Sequence, residues 1–126
     1  LLFVGVMLAG GGLAMAGVHL PGVELGIVAS VIVLGMLLIF ARSGATLPAA
    51  LLVSGFALFH GYAHGAEMPA AAGAAAYALG FAVATAALHG MGLVGGQWLQ
   101  ARHWQRAVQI LGALISMAGV SMALSM

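Results

Sequence analysis

The chain has 126 residues, 64% of them hydrophobic and 4% charged, with a mean hydropathy of +1.21, whereas an ordinary soluble domain is roughly 45–50% apolar and 25% charged. Its charged side chains are Glu24, Arg42, Glu67, Arg102 and Arg106, too few to build a nucleic-acid-binding or phosphate-binding patch, so nucleic-acid partners are excluded. Cys is absent, which removes disulfides, thiolate metal sites and redox relays and leaves His, Glu, Met and backbone oxygens as available ligands.

These numbers describe an all-α, polytopic helix bundle whose solvent is the lipid bilayer. A helix needs about 20 apolar residues to cross a hydrocarbon core of about 30 Å, and residues 1–126 read as one transmembrane domain with about five such windows. The first covers 1–18 and ends in the turn-like His19-Leu20-Pro21-Gly22. The second, 23–41, is followed by Arg42 to Pro48; the third, 47–66, by Glu67-Met68-Pro69. The fourth, 70–96, leads through Gln97 to Gln105 into the fifth, 105–126. Each Pro stands where a helix begins, a place at which its missing N–H costs little. Within lipid each helix satisfies its own backbone.

Arginine collects on the cytoplasmic side of bacterial membrane proteins, while acidic residues carry little topological weight. With five spans the second and fourth connections share a face, and these hold Arg42 and Arg102/Arg106. The expected orientation therefore puts those loops in the cytoplasm and Glu24 and Glu67 on the periplasmic side. Trp98 and Trp104 flank the fourth connection, as aromatic residues do at a headgroup boundary. Small-residue spacings at Gly22/Gly26, Gly61/Gly65 and Gly92/Gly96 are candidates for close helix approach, although 20 glycines produce many such pairs by chance.

The polar groups are not evenly spread. The third segment ends Phe59-His60-Gly61-Tyr62-Ala63-His64-Gly65-Ala66-Glu67, and positions three, four or seven apart share one helix face. His60, His64 and Glu67 thus form a stripe of two imidazoles and a carboxylate, a ligand set suited to Ni²⁺, Co²⁺ or Zn²⁺. A lone intramembrane His is commonly a helix–helix hydrogen bond instead. Here, however, three scarce polar groups fall within eight positions, in a medium where a central charge costs about 2.5–3.5 kcal/mol. A metal or proton pathway explains that clustering. At about 1.5 Å per residue, His60 lies roughly 10 Å inward of Glu67, making a ladder. Gly61 and Gly65 leave the adjoining stripe bare for a partner helix.

His89 sits on the antiparallel fourth segment, nearer the cytoplasmic side, and is either a second station on the path or a His bonded to a neighbouring carbonyl. Thr85, one turn earlier, either bonds its own helix or lines the same cavity. His19 and His103 lie in connections and are expected to be solvated; Glu24 suits the start of a helix. The methionines read as packing residues, with Met91 a soft-ligand candidate beside His89.

The stretch from Phe59 to Glu67 resembles the FHGxAHGxE signature of the HupE/UreJ family of hydrogenase- and urease-associated nickel permeases. The runs from Leu20 to Ile27 and from Tyr77 to His89 resemble that family as well, so the likeness covers nearly the whole chain. It implies a bacterial inner-membrane helical carrier for Ni²⁺, in some members Co²⁺, that supplies metalloenzyme maturation. It places the family's second metal motif on His60, His64 and Glu67, with His89 a weaker match. The family's first motif, a His-Pro stretch followed by an Asp-His pair, has no counterpart here, since the chain contains no Asp. Leu1 opens inside an apolar run with no initiating Met or charged leader, and the expectation is that further residues precede it.

Transport of a divalent ion with no permanently bound cofactor is the leading functional expectation. The alternative is a non-transporting accessory subunit that packs into a homo-oligomer or a larger membrane complex through its small-residue faces. Haem ligation would need His60 or His64 to meet His89 at equal depth, which the depth count disfavours. An enzyme is not expected, because no nucleophile–base or general-acid pair is in place.

Overall fold

The computed structural model describes residues 2–40, 47–69 and 73–126. All five expected helices are present: α1 (Leu2–Met15), α2 (Val23–Phe40), α3 (Leu47–Ala66), α4 (Ala74–Ala101) and α5 (Gln105–Leu124). Three of them, α2, α4 and α5, are long and apolar enough to cross a membrane. At 14 residues α1 is only about 21 Å long, and α3, at 20 residues, carries the polar ladder in its last two turns. Helix α4 runs on to Ala101, past the expected end at 96. Gln97 and Gln100 are good helix formers, so the helix outlasts its apolar stretch. The fourth connection shrinks to the turn around Arg102 and His103.

Two tight seams organise the bundle. In the first, α1 and α3 run parallel: a Cβ added at Gly61 would collide with the Met7 backbone, and one at Gly65 with the Gly11 backbone. Gly10 lies equally close to the Leu58 carbonyl. Contact of this kind brings backbone against backbone, and only glycine permits it. In the second seam, α2 and α5 run antiparallel. A Cβ at Gly112 would come within 2.6 Å of the Gly35 oxygen, and one at Gly119 within 2.7 Å of Ile32. Two side-chain hydrogen bonds reinforce this seam, Ser116 Oγ donating to the Ile32 carbonyl at 3.0 Å and Gln109 Nε2 to the Ile39 carbonyl at 3.3 Å.

The seams meet where the Phe59 ring of α3 lies against Gly26 of α2. Gly22, by contrast, adopts φ +71° in the turn before α2, and a Cβ added there would meet nothing within 4 Å, so the Gly22/Gly26 pair is a turn residue plus a contact residue. The Gly92/Gly96 pair also departs from expectation. An added Cβ at either would meet nothing within 4 Å, and the same holds at Gly80, Gly90 and Gly95. Helix α4 packs loosely, with Thr85 its one buried residue.

Parallel α1/α3 and antiparallel α2/α5 place the end of α2, the start of α3, the end of α4 and the start of α5 at one end of the bundle. Arg102 and Arg106 belong to that end, and Glu24 and Glu67 to the other. Arg42 lies outside the described residues.

Candidate metal site

His60 and His64 occupy the last two turns of α3, where the sequence alternates seam and stripe, and Glu67 follows the helix end. Gly61 and Gly65 press into α1, and each is immediately preceded by an imidazole. One residue rotates a helix by about 100°, so a seam on α1 turns His60 and His64 to the adjoining face. That face looks toward α4. The His64 ring lies 5.1 Å from the Phe81 ring at a 49° tilt, and the Tyr77 hydroxyl donates to the His64 carbonyl at 2.8 Å. Tyr77 and Phe81 are themselves stacked at 6.4 Å.

His60, half-buried, sits one turn deeper, with Nδ1 3.2 Å from the Phe56 carbonyl of its own helix. A donor role there fixes the proton on Nδ1 and leaves Nε2 as the lone-pair nitrogen, the tautomer a metal-binding imidazole adopts. Glu67 follows the last helical residue, its N–H donating to the Ala63 carbonyl at 3.0 Å, and its side chain is exposed. His89 stacks on Phe3 of α1 at 4.9 Å with an interplanar angle of 19°. The α1/α3 register pairs Met7 with Gly61, which sets Phe3 level with Ala57. His89 is therefore about 5 Å further in than His60, counting three residues of rise. Along the bundle the order is Glu67, His64, His60, His89.

These groups are spread along the bundle and do not make a chelate: among the described residues, no three His, Cys, Asp or Glu side chains gather closely enough to hold one metal ion. A cavity of about 30 Å³ lies beside the stripe, lined by Leu8, Gly11 and Met15 of α1, Gly65 of α3 and Tyr77, Ala78 and Phe81 of α4. That volume admits one or two water molecules. The aromatic residues that contact His64, itself exposed, were not singled out from the sequence. Tyr77 and Phe81 stand one turn apart in a segment otherwise made of Ala, Gly and Leu, and that i, i+4 aromatic pair is the signal that points to them.

A family profile described as HupE / UreJ protein matches residues 1–122. The chain belongs to the HupE/UreJ family. Protein HupE of Rhizobium leguminosarum bv. viciae is 37% identical over 120 residues, which cover 95% of this chain and 63% of that protein. The HupE/UreJ chain thus spans somewhat less than two thirds of the length of this curated relative. No solved structure matches it. Family and hydropathy together make it a membrane protein, and the Phe59–Glu67 ladder lies inside the matched region.

Proposed function

We propose that this HupE/UreJ chain carries Ni²⁺, or Co²⁺, across the bacterial inner membrane to supply metalloenzyme maturation. The observation that carries this reading is the imidazole pair on one face of α3, with a carboxylate at its outer end and His89 further along the same direction. Glu67 attracts the hydrated ion, His64 and His60 exchange water for imidazole nitrogen, and His89 receives the ion toward the cytoplasmic end. Conduction needs several sites, each weak enough to release its ion, and spaced stations with water completing the coordination meet that need better than a closed chelate. The driving force is the membrane potential, worth about 2.3 kcal/mol per unit charge per 100 mV and twice that for a divalent ion.

Uptake of radioactive nickel into cells or proteoliposomes tests the assignment. His64→Ala is expected to lower the initial rate by roughly tenfold or more, the range typical for disturbing metal ligation. Because imidazole binds a metal only when unprotonated, protons compete with the ion, and uptake falls as external pH is lowered from 7 to 5. A rate that stays level over that range contradicts ligation by these histidines.

The absence of a three-ligand group among the described residues favours a second reading, in which the chain is a non-transporting accessory subunit of a larger membrane complex. Purification separates the two: the carrier comes away with bound nickel and no stoichiometric partner, the accessory subunit with a partner and no nickel.

A further inference from the structure

A second cavity lies away from the His60/His64 face, in the crotch where α4 and α5 part. The two helices leave their shared turn in different directions, because α5 follows the seam along α2 while α4 crosses to α1, where His89 meets Phe3. The gap between them has a volume of about 330 Å³. Leu38 of α2, Leu99 and Val108 form its apolar wall, and Gln100, Gln105 and Gln109 line it with carboxamides.

Its depth is marked by aromatic residues. Trp98 and Trp104 meet edge to face at 5.5 Å, and the Arg102 guanidinium lies 5.0 Å above the Trp98 ring. Tryptophan of this kind sits at the headgroup boundary, so the cavity opens where acyl chains give way to phosphate. Arg102 belongs to the turn between the lining residues Gln100 and Gln105, Arg106 directly follows Gln105 in α5, and both acidic residues of the chain, Glu24 and Glu67, lie at the opposite end of the bundle. The mouth is therefore positive and rich in hydrogen-bond donors, and the wall is apolar.

From this charge and depth we infer that the α4/α5 crotch binds one anionic phospholipid, its phosphodiester held by the carboxamide N–H groups and the guanidinium groups of Arg102 and Arg106 and its glycerol and upper acyl carbons lying on Leu38, Leu99 and Val108. Basic clusters at the cytoplasmic end of membrane helices recognise anionic headgroups in this way. The lipid fills space left open among the described residues and ties α4 to the α2/α5 seam.

The test uses the purified protein in dodecyl maltoside, mixed separately with phosphatidylglycerol, phosphatidylcholine and inorganic phosphate, and followed by thermal unfolding and native mass spectrometry. Phosphatidylglycerol is expected to raise the unfolding temperature by roughly 5 °C or more at saturation and to remain bound as a single adduct. Arg102→Gln combined with Arg106→Gln removes both effects. Gly96→Leu is the second variant; it keeps both arginines and fills the cavity, since an added Cβ at Gly96 meets nothing within 4 Å, and it too abolishes the adduct. Equal retention of phosphatidylcholine, equal protection by phosphate alone, or a phosphatidylglycerol adduct that survives both variants overturns the inference.

Discussion

His103 takes a backbone conformation that side chains disfavour. At the end of α1, Gly17 closes the helix at φ +74°, with its own N–H reaching the Ala14 carbonyl and the Val18 N–H the Leu13 carbonyl. The same closing pattern ends α4, where the His103 N–H reaches Gln100 and the Trp104 N–H reaches Leu99, but the left-handed position is held by His103 at φ +56°. Glycine is the usual occupant because it has no Cβ to clash. His103→Gly is expected to raise stability by about 1 kcal/mol, read as a higher midpoint in denaturant unfolding of the detergent-solubilised protein; Gly17→His should lower it by a similar amount. Sequence reading left His103 as a solvated loop residue. It is exposed, as expected, but its backbone role follows from hydrogen bonds that no residue type announces.

Among the elements, glycine has opposite meanings in different helices. Gly112→Val forces new carbon against the Gly35 carbonyl and Leu38, and overpacking of this kind costs about 1–3 kcal/mol. Gly92→Ala adds its methyl group to open space and is expected to stay within about 0.5 kcal/mol of the parent. Thermal unfolding of the two variants side by side checks the contrast. Composition made the five helices legible, because runs of about 20 or more largely apolar residues have few other readings in a chain with so few charges. The FHGYAHGAE stretch likewise made the ladder legible, since it follows from helical spacing. Which glycines find a partner was not legible. Gly61/Gly65 and Gly92/Gly96 have the same spacing, and only the course of α4 away from α5 separates them. The order of the candidate residues along the bundle was legible, while the contacts of His64 with Tyr77 and Phe81 depend on how α4 crosses α3.

For the molecule as a whole, the packing directions put Arg102 and Glu67 at opposite ends, and the chain contains no Cys to confuse a labelling experiment. A Glu67→Cys protein in intact cells is expected to react with a membrane-impermeant maleimide added outside. An Arg102→Cys protein reacts only after the membrane is opened. The reverse pattern would invert the direction of the proposed path. The same arrangement separates the two charged ends from each other by the length of the bundle, so the acidic approach and the basic, lipid-facing end can be altered independently.

The interleaving of His60 and His64 with the seam glycines limits how the protein can move. Any roll of α3 that swung the imidazoles would tear Gly61 and Gly65 out of their fit against Met7 and Gly11. Helices α1 and α3 are therefore locked to each other as a single stiff bar, whereas α4, with Thr85 its one buried residue, is held less tightly. In hydrogen–deuterium exchange the amides of α4 from Leu79 to Leu93 should outpace those of α3 from Leu51 to Ala63, which would place the faster-opening backbone on the helix that carries His89 and faces His64.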